Sequence, residues 1–94
     1  KAEFGATFIK STISVHNRFY VGRHSELINV IATHQGGSTI IGDSVELNNC
    51  ILEGGCEIGS SIKLHNWRIP ANVVIESYSS PSTQELLDMG LTRI

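Results

Sequence analysis

Apolar residues recur through the middle of the chain at steps of six, five and six, at Ile41, Leu47, Leu52, Ile58, Leu64, Ile69 and Ile75. A second apolar position follows four residues after most of them, at Val45, Ile51, Cys56, Ile62 and Val73. Neither the 3.6-residue period of a helix nor the two-residue alternation of one long strand produces this pattern. Set one above the other, Ile41–Glu57 and Ile58–Val74 read IGDSVELNNCILEGGCE and IGSSIKLHNWRIPANVV. Five positions coincide, Ile41/Ile58, Gly42/Gly59, Ser44/Ser61, Leu47/Leu64 and Asn49/Asn66, and the period is 17 residues. A chain wound round a three-sided prism accounts for the pattern, since each face is a short strand and each corner resets the phase.

The pattern predicts a mainly β fold, a short single-stranded parallel β-helix over residues 38–76. Like residues stack on like: Ile41 under Ile58 under Ile75, Leu47 under Leu64, Leu52 under Ile69. Each such burial contributes roughly 1.5–3 kcal/mol. Gly42, Asn48, Asn49, Gly54, Gly55, Gly59 and Asn66 suit the corners, where tight or left-handed backbone is common. An antiparallel sandwich with turns at the glycines is the competing reading, and two full rows in register argue against it. Arg68 departs from the pattern by taking the slot of Ile51. A slipped coil is expected there, or a loop that lets Trp67 and Arg68 lean outward.

The flanks read as caps for the open ends of the β-helix. Over residues 1–37 the expectation is a small α/β cap. Its strands, around Thr7-Phe8-Ile9, Thr12-Ile13-Ser14-Val15 and Phe19-Tyr20-Val21 with a turn at His16-Asn17-Arg18, read as a strand pair or hairpin. Ser25 then N-caps a helix through Glu26–Ala32, ended by Gly36-Gly37. Over residues 77–94 a loop leads to a short helix, with Ser82 and Glu85 as a capping box, Leu86, Leu87 and Met89 on the helix, and Gly90 as its stop.

Ninety-four residues hold one domain with a marginal core. A formal charge of −2 offers no basic stripe for nucleic acid, and the apolar runs are too short to span a membrane. Lys1 opens the chain without a methionine and Lys1–Gly5 lack a signal core, which suggests a segment of a longer polypeptide. Two cysteines, Cys50 and Cys56, make no disulfide framework, so a reducing, cytoplasmic compartment is expected, with a Cys50–Cys56 bridge as the alternative. No metal site is expected, because these cysteines and His16, His24, His34 and His65 lack the close pairing that zinc sites use.

Residues Thr12–Leu27, TISVHNRFYVGRHSEL, place a strand, an aromatic residue, a Val-Gly pair and an acidic residue directly before the β-helix. Together with RIPANVVI at Arg68–Ile75, this resembles the C-terminal region of sugar nucleotidyltransferases that carry a hexapeptide-repeat left-handed β-helix. The nearest are the L-fucose-1-phosphate guanylyltransferases and the related fucokinase bifunctional enzymes, whose product is GDP-fucose. The resemblance implies that residues 1–37 end a nucleotidyltransferase domain and that Tyr20, Gly22 and Arg23 contact substrate. It also implies Mg²⁺ in the parent enzyme, with sugar phosphate and nucleotide bound only there. Tyr20 stands where the family usually has His or Asp, and Arg23 where it usually has Thr.

The family's glycine-rich nucleotide loop and metal-binding aspartates are missing from these residues, and Gly36-Gly37 leads into the strand-like Ser38-Thr39-Ile40-Ile41 rather than a helix. The chain is therefore read as a non-catalytic portion with structural, oligomerisation or regulatory roles, without a cofactor of its own. Its partner is the rest of the parent polypeptide or a second copy. Two alternatives stay open. A hexapeptide-repeat acyltransferase would use His34 or His65 as general base. A free-standing interaction module would present Trp67 and Arg68 as a surface contact.

Overall fold

The computed structural model describes residues 5–13, 19–33 and 38–94. The expected turn at His16-Asn17-Arg18, His34 and the helix stop at Gly36-Gly37 lie outside them.

Three parallel sheets form the sides of a prism. The first stacks β1 (Thr7–Ile9), β4 (Glu26–Ile28), β7 (Glu46–Asn48) and β10 (Lys63–His65). The second stacks β2 (Thr12–Ile13), β5 (Ile31–Ala32), β8 (Ile51–Leu52) and β11 (Trp67–Ile69), and β13 (Thr92–Arg93) joins it antiparallel to β11. The third stacks β3 (Phe19–Val21), β6 (Thr39–Ile41), β9 (Glu57–Ile58) and β12 (Val74–Ile75). The chain visits the sheets in turn, so each strand pairs with its counterpart one coil away.

Inward residues stack in the register that the repeat implies. Ile41 pairs with Ile58 and Ile58 with Ile75, Leu47 with Leu64, and Leu52 with Ile69, all essentially buried. The stacks also extend further toward the N-terminus than residue 38. Val21 pairs with Ile41, Leu27 with Leu47 and Ala32 with Leu52, at a spacing of 20 residues rather than 17. The expected α/β cap, with its strand pair and its helix over Glu26–Ala32, is therefore corrected: β1, β2 and β3 lie in three different sheets, and Glu26–Ile28 and Ile31–Ala32 are strands of the β-helix itself. Leu27, Val30 and Ala32 point inward as Leu47, Cys50 and Leu52 do one coil later. Two short strands joined by one left-handed residue bury positions i, i+3 and i+5, and the first two of these imitate the spacing of a helix face.

Ser25 caps no helix. It is fully buried in the slot that Val45 and Ile62 hold in later coils. Its hydroxyl donates to the Gly42 carbonyl at 2.7 Å and accepts from the Val45 N–H at 3.1 Å, so the polar group is satisfied where it sits.

Arg68 causes no slip. It pairs with Ile51 and Ile69 with Leu52, because this slot faces outward; Ile31, two coils earlier, is 46% exposed. Trp67 instead turns inward, one residue earlier, into the slot of Val30 and Cys50, and is 3% exposed. A large ring fits there because the coil beneath supplies a cysteine and no further parallel strand follows on that sheet. The chain closes this end with α1 (Thr83–Asp88), whose Ser82–Glu85 capping box forms as read. Leu86 and Leu91 are buried in the core cluster, while Leu87 and Met89 are exposed. β13 covers the edge of β11 with antiparallel pairs Trp67–Arg93 and Arg68–Thr92.

Candidate functional site

Several corners of the prism carry residues in left-handed backbone. One corner carries Lys10, Asn29, Asn49 and Asn66 at φ 50, 53, 54 and 63°. Asparagine accepts this conformation at low cost because its short side chain can hydrogen-bond locally. Here the amides bond along the prism instead: Asn29 Nδ2 donates to Asn49 Oδ1 at 2.9 Å and Asn49 Nδ2 to Asn66 Oδ1 at 2.8 Å.

A second ladder runs through residues 23, 43, 60 and 77. The Arg23 N–H donates to Asp43 Oδ1 at 2.8 Å, the Asp43 N–H to Ser60 Oγ at 3.0 Å, and the Ser60 N–H to Ser77 Oγ at 2.8 Å. The glycine before each acceptor's partner makes room for it. A Cβ on Gly22 would lie 2.3 Å from Asp43 Oδ1, on Gly42 2.7 Å from Ser60 N, and on Gly59 2.2 Å from Ser77 N. Repetition of Gly-Asp and Gly-Ser at 42–43 and 59–60 is the signal in the sequence that marks this ladder.

The structure thus places Gly22 and Arg23 at the head of an inter-coil ladder. Tyr20 stands beside them on the outward side of β3, half-buried, in line with Ile40, Glu57 and Val74. Trp67 and Arg68 separate by face. Arg68 Nε donates to Glu53 Oε1 at 3.0 Å on the outside, and the buried Trp67 ring has the Arg93 guanidinium 4.7 Å from its centre. Trp67 is therefore corrected as a surface contact, because its position on β11 faces the core. His65 is exposed on β10 opposite Asn48, and no described residue hydrogen-bonds its ring.

Both cysteines are free and buried in core slots. Burial pushes the Cys50 thiol up, and pushes that of Cys56 from 9.0 up to about 11, so neither is a thiolate nucleophile at neutral pH. The unfolded chain loses its thiol protons near pH 9 while the folded chain keeps them, so folding stability should be intact below pH 9 and fall as pH rises towards 11. Denaturant melts between these values should show the fall, and Cys56→Ala should flatten it; an unchanged slope in that variant would remove Cys56 as the cause.

Shallow depressions mark the surface of the described residues. One of about 290 Å³ lies on the third sheet between Ile40, Glu57 and Val74 and the glycine line at Gly42 and Gly59. Others of about 300 and 310 Å³ lie beside Lys63 and Pro81 and beside Arg68 and Thr92. Each is at the lower limit of small-molecule sites. Among the described residues no three His, Cys, Asp or Glu side chains converge. No helix among them is long and apolar enough to cross a membrane. Comparison with protein-family models, curated proteins and solved structures gives no match for this chain.

Proposed function

We propose that this chain is the non-catalytic β-helix portion of a sugar-1-phosphate nucleotidyltransferase of the L-fucose-1-phosphate guanylyltransferase type, acting as a scaffold in a cytoplasmic parent enzyme. The observation that carries the reading is the use of its polar groups. Arg23, Asp43, Ser60 and Ser77, and separately Asn29, Asn49 and Asn66, direct hydrogen bonds from coil to coil. Groups committed to a rigid ladder hold a shape. The described residues of the segments Thr12–Leu27 and Arg68–Ile75, which carry the resemblance, lie in this laddered region. In this reading nucleotide, sugar phosphate and Mg²⁺ belong to the catalytic domain, and the β-helix supports it.

The test is an assay of the chain by itself with Mg²⁺, GTP and sugar 1-phosphates, and separately with acetyl-CoA. No turnover is expected in either. Acetyl transfer that disappears on His65→Ala would overturn the reading in favour of an acyltransferase. Nucleotidyl transfer by the chain alone would overturn its non-catalytic character.

A further inference from the structure

The outward sides of the second and third sheets match each other in a way that neither matches itself. On the third sheet, the ladder Tyr20, Ile40, Glu57, Val74 faces out, with Ile40 41% and Val74 56% exposed. On the second, the ladder is Thr12, Ile31, Ile51, Arg68, with Ile31 46% exposed. Each stripe carries one charge, the acidic Glu57 on the third sheet with Val74 beyond it, and the basic Arg68 at the end of the second. Tyr20 and Ile31, Ile40 and Ile51, and Glu57 and Arg68 belong to successive coils, and each pair is 11 residues apart. Two copies with parallel axes, third sheet against second, would set aromatic on aliphatic, aliphatic on aliphatic and acid on base.

We propose that copies of this chain associate side by side, the outward face of β3–β6–β9–β12 of one copy packing on the outward face of β2–β5–β8–β11 of the next. Charge selects this pairing. Third sheet against third sheet, related by a two-fold axis between its middle strands, sets Glu57 against Ile40 and buries the carboxylate without a cation, a costly arrangement. Glu57 makes no ion pair with any described residue, and Arg68 keeps part of its guanidinium outside its bond to Glu53, its side chain being 56% exposed. Since each copy uses two different faces, the contact is heterologous and joins more than two copies. Faces built from strands of two or three residues fall short of the ~800 Å² per partner of a standard interface, so the association should be weak and visible only at high concentration. The inference does not depend on the nucleotidyltransferase reading, because it rests on the two faces alone.

Sedimentation of the whole chain from about 10 μM to 1 mM tests it, a range set by the modest interface. The expected result is a rise in mass with concentration. Ile40→Glu spoils one face and Ile51→Glu the other, and each should weaken self-association by about tenfold or more. Both positions already carry a charge one coil later, at Glu57 and Arg68, so both variants should fold, and circular dichroism and melting check that they do. Mixing the two variants then leaves one sound contact per pair, and a 1:1 heterodimer that grows no further is expected. Wild type monomeric throughout the range overturns the proposal. So does assembly that survives either substitution, which would mean that one face pairs with itself, or a mixture that stays monomeric.

Discussion

Replacing Leu47 with alanine is expected to lower stability by about 2–5 kcal/mol, through lost transfer energy and the cavity left behind. Leu47 is 1% exposed and lies between Leu27 and Leu64 in the same stack, so neighbours above and below lose contact together. A domain of this length has roughly 5–14 kcal/mol to lose, and the melting temperature should fall by about 10 °C or more. Leu64→Ala should behave similarly. His65→Ala, one residue later and outward, should change stability by less than about 0.5 kcal/mol. Thermal melts of the three variants measure the phase of the coil, because a one-residue slip exchanges inward and outward positions. A greater loss from His65→Ala than from Leu64→Ala would mean that the register is wrong.

Adding a single methyl group at residue 59 should rank beside removing three carbons at residue 47. In Gly59→Ala the new Cβ would stand 2.2 Å from Ser77 N and 2.6 Å from Ser77 Cα, both backbone atoms of the next coil. No rotamer change relieves that contact, so the coils must separate and the Ser60–Ser77 bond at 2.8 Å must lengthen. The cost should reach the upper end of the overpacking range, about 3 kcal/mol. Denaturant unfolding measures it. A loss under about 0.5 kcal/mol would show that the glycine line is dispensable and that the close approach of the coils has another cause.

The 17-residue repeat was legible because stacking in a parallel β-helix puts chemically similar residues one coil apart. Ile41, Ile58 and Ile75 need no tertiary information to be aligned. The earlier coils follow the same rule and yet escape it in the sequence. Nine residues separate Ala32 from Ile41, against six between Leu52 and Ile58 and between Ile69 and Ile75. The longer step shifts the phase, and Leu27, Val30 and Ile31 then read as a helix face. The true inward set is Leu27, Val30 and Ala32, and it is decided by pairing with Leu47 and Leu52, which is nonlocal.

The corner ladders were legible in part. Asn49 and Asn66 suit a corner by their residue type, but the amide-to-amide direction of their bonds depends on the distance between coils. The resemblance points to Gly22 and Arg23, whose places in the glycine line and the ladder with Asp43 emerge only when Gly42 is stacked above Gly22.

What the sequence by itself determined is the β-helix of residues 38–76, its inward stacks and the Ser82–Glu85 cap, since each rests on local spacing or a repeat. Tertiary structure alone decided three further features. The first is how far the β-helix extends toward the N-terminus, because longer connections hide the period while strand pairing ignores connection length. Another is the fate of Trp67, because its slot is assigned by Cys50 beneath it and not by its own neighbours. The last is β13, because two residues near the chain end become a strand only where β11 offers an unpaired edge to receive their hydrogen bonds.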